Sequence, residues 1–254
     1  MHLKPVLIGS LLFAGTFLSA QPMREHPPLE EARNKGKAFL LHLEFGIYQP
    51  GGDLADRFGG NGGLGLGTEF ITANNLIIGA EGHFYFGSNV KEDPLAILRT
   101  AEGDLIGNDL SLASVPLHER GWYVGGLIGN LLPLSNTRSG LRITLGAGVT
   151  QHKIRVQDDQ SALTQITGDY GKGYDRLTGG LALEQFVGWQ NLAKNRLANF
   201  MIGFEFNQGF THTLRDWDFN DRRKLEGQRL DLRFGIRAAW TLPFYLDGSE
   251  NISY

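Results

Sequence analysis

From Ala38 onward, apolar and polar residues alternate one for one, the two-residue period of a strand with one apolar and one polar face. Phe39, Leu41, Leu43, Phe45 and Ile47 share one face; His42, Glu44, Gly46 and Tyr48 share the other. The pattern returns over residues 76–86, 141–149, 177–189, 200–210 and 230–242. In the last of these, Leu230, Leu232, Phe234, Ile236, Ala238, Trp240 and Leu242 oppose Asp231, Arg233, Gly235 and Arg237. Residues 64–72 and 121–131 carry weaker versions, which completes a set of eight strands. None of these segments has the three- and four-residue apolar spacing of an amphipathic helix.

Three properties favour a closed barrel in a membrane over a soluble sandwich of two sheets. The alternating runs last about 10–14 residues rather than the usual 5–6, the length a tilted strand needs to cross a bilayer. Their polar face is made of glycine, small residues and a Glu/Arg mixture, which suits the narrow interior of a small barrel. The connections alternate strictly: 49–63, 87–119, 155–175 and 212–228 are long, whereas 73–75, 133–139 and 190–196 are short. Two unlike ends are the mark of a transmembrane barrel with its long loops outside. The expectation is an all-β, eight-stranded, antiparallel up-and-down transmembrane β-barrel. Ten strands is the alternative, with an extra hairpin drawn from 87–119, where 95–98 and Leu105-Ile106 read as strand extensions or a plug.

With the apolar face outward, the enclosed charges are Glu44, Glu69, Glu81, Glu184, Glu205 and Asp231 with Arg142, Arg233 and Arg237. His42, His83, Tyr85, Tyr123 and Asn207 share that face. Charges shut away from water must pair, and the planar fork of arginine holds two carboxylate oxygens at once. Eight strands leave room for little but side chains, so the interior is expected to be an ion-paired plug. Trp122, Trp189, Trp240 and Tyr245, with Tyr48 and Phe210, fall near strand ends, where amphipathic rings favour the headgroup boundary.

Composition adds an address and several exclusions. Lys4, the apolar run from Val6 to Leu18 and the small pair Ser19-Ala20 make residues 1–20 a cleavable secretory signal peptide. Residues 21–37 follow as a polar leader, 38–246 form the barrel, and 247–254 are a polar tail. Glycine contributes 35 of 254 residues, roughly twice its ordinary ~7% share, and many glycines fall on the inward face. The absence of cysteine excludes disulfides, thiolate zinc sites, a thiol nucleophile and a lipoprotein anchor. A formal charge of −3 offers nucleic acid no electrostatic footprint.

Catalytic chemistry finds little purchase. His152 and His212 lie near the expected outer rim, but no strand-borne serine sits two residues from either. His212 with Asp216 and Asp218 is the one set able to activate water. Asp216-Trp217-Asp218-Phe219-Asn220 has the alternating acids of a calcium loop, yet Asp221 and Gly227 occupy positions that an EF-hand gives to Gly and Glu. Gly59-Gly60-Asn61-Gly62-Gly63 lacks the Gly-Lys-Ser/Thr ending of a phosphate loop and reads as a flexible loop feeding a strand. Arg222-Arg223-Lys224 is a basic run suited to lipopolysaccharide phosphates or to plain solvation. No catalytic residue, metal site or cofactor is expected.

The signal peptide ending Ser19-Ala20-Gln21, the alternating segments from Ala38 to Leu242 and the aromatic final strand with Trp240, Phe244 and Tyr245 together resemble a known family. It is that of the small, OmpA/OmpX-like eight-stranded outer-membrane barrels of Gram-negative bacteria, in particular those of the Bacteroidota. Such signals usually close the chain, whereas here 247–254 follow. The resemblance implies location in the outer membrane, insertion by the outer-membrane assembly machinery, and contact with lipid, lipopolysaccharide and other envelope proteins. It implies a structural or interaction role, or an accessory subunit of a secretion or assembly complex. A narrow channel and a lipid-modifying or proteolytic enzyme are the alternatives.

Overall fold

The computed structural model describes residues 36–134, 138–159, 161–192 and 199–246. The expected signal peptide at 1–20, all but the end of the expected leader, and the expected tail at 247–254 lie outside the described residues. The elements in order are β1 (Ala38–Gly52), α1 (Asp53–Arg57), β2 (Asn61–Ile71), β3 (Leu76–Gly87), β4 (Leu105–Ile106), β5 (Leu112–Ala113), β6 (Leu117–Pro133), β7 (Arg138–Val156), β8 (Thr178–Leu192), β9 (Phe200–Thr213) and β10 (Gln228–Tyr245).

Eight strands close into a barrel in the order β1-β10-β9-β8-β7-β6-β3-β2, every neighbour antiparallel. The seam joins first strand to last, with Ala38 opposite Tyr245 and Leu43 opposite Trp240. Closure pairs both edges of every barrel strand, so none of the eight is left as a template for association. The ten-strand alternative is corrected: β4 and β5 have two residues each and pair with one another outside the barrel, with Leu105 also bridged to Arg99. Their sequence has no alternating run long enough to enter the wall.

Parity along each strand decides what faces in and what faces out. Ile47, Leu66 and Phe204 are about 70% exposed on the outer wall, at 69%, 68% and 71%, while the residues between such positions are buried. The fold is thus inside out relative to a water-soluble protein, with apolar side chains outward and charges enclosed. Inward glycines make this possible in so narrow a tube. The Tyr48 ring lies back over Gly46 and the Tyr123 ring over Gly125, and a β-carbon at either glycine would overlap the ring.

The two ends are built differently. At the end with short turns, Ala38, Leu40, Ile71, Ile77, Leu127, Leu131 and Leu192 form an apolar floor inside the wall. At the other end, α1 lies across the mouth. Leu54 and Phe58 are buried there against Ile154, and Asp53 accepts the Leu230 N–H at 2.7 Å. Above α1 the long loops fold together into a cap. Leu95, Leu105, Val115, Leu163 and Tyr174 form its core, and Leu98, Ile166 and Phe219 pack around them. Leu95, Leu98 and Leu105 therefore serve a cap core rather than extending the wall.

One loop expectation is also corrected, and one acidic run finds its place. The glycine-rich stretch is no free loop, because Asn61 to Gly63 already belong to β2. The acidic run at 216–220 is folded into the cap, with the Phe219 ring edge-on to Tyr174 at 5.5 Å and Asp218 buried.

Candidate functional site

The interior is stacked in layers above the apolar floor. In the lowest polar layer Arg142 grips Glu69 with both terminal nitrogens, Nη1 donating to Oε2 at 2.8 Å and Nη2 to Oε1. Arg142 Nη1 also donates to Gln190 Oε1 at 3.0 Å. His42 bridges this layer to the seam, its Nε2 at 3.1 Å from Glu69 and its Nδ1 at 2.9 Å from Thr241.

Arg237 is the hub of the next layer. Its Nη1 lies 3.2 Å from Glu44, 2.9 Å from Glu81 and 3.0 Å from Glu184, and 3.0 Å from His83 Nε2. Its Nε lies 3.3 Å from Glu205. The guanidinium carbon stands 4.6 Å from the centre of the Phe186 ring, a favourable cation–π geometry. Glu44, Glu81 and His83 converge as ligands of a metal ion would. Arg237 Nη1 sits within hydrogen-bond distance of all three, so the guanidinium fills the place a cation would take.

Tyr48, Tyr85 and Tyr123 form the following layer with Ala182. Tyr48 donates its hydroxyl to Glu205 at 3.1 Å. Arg233 lies over the Tyr85 ring, 3.7 Å from its centre, and donates to Glu119 Oε1 at 2.7 Å. Asn61 donates to the other Glu119 oxygen at 2.6 Å. Uppermost, Asp231 accepts from Thr211 and Arg229 and faces His152 Nε2 at 2.8 Å. The Phe58 ring stands edge-on to His152 at 5.7 Å, and Arg57 ties α1 to Glu92 at 2.6 Å and to Thr178 at 2.8 Å.

Every charged residue read as inward from the sequence is buried inside the barrel. Several partners lie beyond the expected strand limits. Glu119 fell in a loop and His152 at a rim, yet the first pairs Arg233 and the second Asp231. Continuing the inward parity of Tyr123 and Gly121 by one step reaches Glu119, and that of Thr150 reaches His152. Phe186 shares the parity of Glu184, but no sequence signal marks it as the platform under Arg237.

Among the aromatics, Trp122, Trp189 and Trp240 point outward. Trp122 stands toward the cap, opposite Phe84 and Gln151, and donates its indole N–H to Gln151 at 2.9 Å. Trp189 and Trp240 stand toward the short turns, opposite Leu141 and Leu43. Tyr245 is corrected: Phe244 takes the outward parity, so Tyr245 turns in and packs on the apolar floor. Tyr48 likewise belongs to the interior. The proposed water-activating set is not assembled, since His212 faces outward from β9 while Asp218 is held in the cap 3.4 Å from Arg176.

No family model and no curated protein matches the sequence. Among solved structures, the chain is similar to neisserial surface protein A at 11% identity, covering 82% of this chain and 99% of that one with a TM-score of 0.41. It is similar to the attachment invasion locus protein Ail of Yersinia pestis at 12% identity, with coverages of 82% and 99% and a TM-score of 0.38. For the outer membrane protein OprG of Pseudomonas aeruginosa the values are 11%, 83%, 97% and 0.37. Likeness at this level carries no argument, and the eight-stranded barrel stands on the strand register.

Proposed function

We propose that the protein is an integral outer-membrane β-barrel with a closed interior, acting as a structural or interaction protein or as an accessory subunit of an envelope secretion or assembly complex. One observation carries this reading: the interior is filled along its length, by apolar floor, ion-paired layers, tyrosines and the α1 lid in turn. A tube so filled offers no water column for conduction, and what it presents to the outside is a folded cap.

The outer wall supports the membrane placement. Water-soluble monomers rarely expose apolar patches beyond a few hundred Å². Here Phe45, Leu66, Ile78, Val124, Leu145, Leu181, Phe204, Phe234 and their neighbours continue around all eight strands. Outward tryptophans at two heights suit the two headgroup boundaries of a bilayer.

Purification from native membranes in mild detergent tests the role, with envelope proteins in fixed stoichiometry as the expected result and a lone barrel as the result against it. Recording in planar bilayers tests closure. Steady openings would return the narrow channel. Lipid A profiles with and without the protein would expose a lipid-modifying enzyme if they differed.

A further inference from the structure

Above Trp122, the outward face of β6 and β7 changes from apolar to basic. The register sets Arg120 directly opposite Lys153 and His118 directly opposite Arg155. All four have outward parity, because Glu119 and Ile154 between them are fully buried. Positive groups directly opposite on one face of a sheet repel one another.

The molecule does little to neutralise them. Arg120 donates to the Glu119 backbone carbonyl at 2.7 Å, which leaves its charge without a carboxylate. Lys153 stands 4.0 Å from Asp175, whose two oxygens already accept from Arg215 at 2.8 and 2.5 Å. Among the described residues neither Arg120 nor Arg155 forms an ion pair. A groove of about 620 Å³ opens in the wall beside this cluster. Ile47 and Phe86 give it an apolar side, Gly62 and Gly87 leave it room, and His118 and Arg120 form its basic rim.

We infer that this face holds a phosphorylated membrane lipid of the leaflet on the cap side. Its phosphate bridges Arg120, Lys153 and Arg155, and an acyl chain lies along Ile47 and Phe86. The inference rests on the membrane placement proposed above. Two guanidinium forks and an ammonium match phosphate oxygens in geometry and charge. Trp122, one step toward the apolar wall, sets the cluster at headgroup depth. The three cations Arg120, Lys153 and Arg155 then stabilise the bound lipid instead of opposing one another. The cap run Arg222-Arg223-Lys224 is exposed and lines no part of that groove.

The test uses the full chain folded into phosphatidylcholine nanodiscs, with bisphosphorylated lipid A and its dephosphorylated analogue as probes and native mass spectrometry as the readout. Replacing three charges in R120Q/K153Q/R155Q should weaken lipid A binding roughly a hundredfold. R222Q/R223Q/K224Q, which removes the same charge from the cap, should change it by no more than about twofold. The dephosphorylated lipid should bind the parent as weakly as lipid A binds the first variant, and added salt should weaken only the phosphorylated probe. Equal binding by parent and first variant, an equal loss in the cap variant, or indifference to phosphate would each overturn the inference. Heat-modifiable gel mobility and protease protection report insertion independently. A chain that fails to insert overturns the membrane placement and this site with it, whereas one that inserts without selectivity overturns this site alone.

Discussion

At the centre of the barrel, Arg237 is ringed by Glu44, Glu81, Glu184 and Glu205 with no water-facing surface of its own. In the cap, Leu95, Leu105, Val115, Leu163 and Tyr174 pack as they would in any soluble domain. The cap stands beyond the apolar wall, so its only way to remove hydrocarbon from water is to bury it within. The wall meets that demand outward, which leaves the interior to residues that satisfy one another by charge. The two regions should therefore fail differently. A desolvated ion pair tolerates the loss of a partner badly, whereas an apolar core loses stability in proportion to the atoms removed.

Arg237→Ala should give the largest effect, about 5 kcal/mol in urea titration of the lipid-folded barrel, because it abandons four buried carboxylates at once. Arg233→Ala should cost about 3–4 kcal/mol, since Glu119 keeps its bond from Asn61 while Tyr85 loses the cation above it. A change below about 1 kcal/mol in either would mean that the interior is wet and the contrast with the cap false.

Leu105→Ala sharpens the comparison from the other side. It should loosen the cap by about 2–3 kcal/mol in hydrogen-exchange protection while leaving the urea midpoint of the barrel in place. Loss of the barrel transition as well would show the two cores to be one cooperative unit.

The smallest effect is expected at Asp218. Burial pushes its carboxyl above the usual aspartate range, and Arg176 returns part of that shift. A carboxyl that holds its proton more tightly when folded contributes stability below its unfolded pKa and loses it as pH rises through the folded value. Asp218→Asn, which mimics the protonated form and keeps the acceptor for the Asp221 N–H, should make the cap slightly more stable at neutral pH. The gain should stay below about 1 kcal/mol and vanish on acidification, as read by protease resistance against pH.

The wall was legible in the sequence because parity is local: a residue faces in or out according to its place along its own strand. That signal depends on contrast between the two faces, and it fades where the outward face turns polar. Arg120 and Lys153 are such places. The strands continue past them, but the alternation no longer shows apolar against polar, so Glu119 and His152 read as loop and rim. The same loss of contrast concealed the basic cluster, whose four members come from two segments 33 to 37 residues apart and meet only through the β6–β7 register. Tyr245 was misread for a related reason, since two aromatics in succession at a strand end leave the facing of each to the wall.

By itself, then, the sequence determined the alternating strands with ten still open beside eight, the facing of Glu44, Glu69, Glu81, Glu184, Glu205, Arg142, Arg233 and Arg237, and the narrowness implied by inward glycine. Those are properties of single strands and of composition. Only the tertiary structure decided that Arg237 gathers four glutamates from four different strands, that α1 closes the mouth, and that three loops share one apolar core. Such contacts join residues as far apart as Glu44 and Arg237, and closure of the barrel, which no local pattern encodes, is what brings them together.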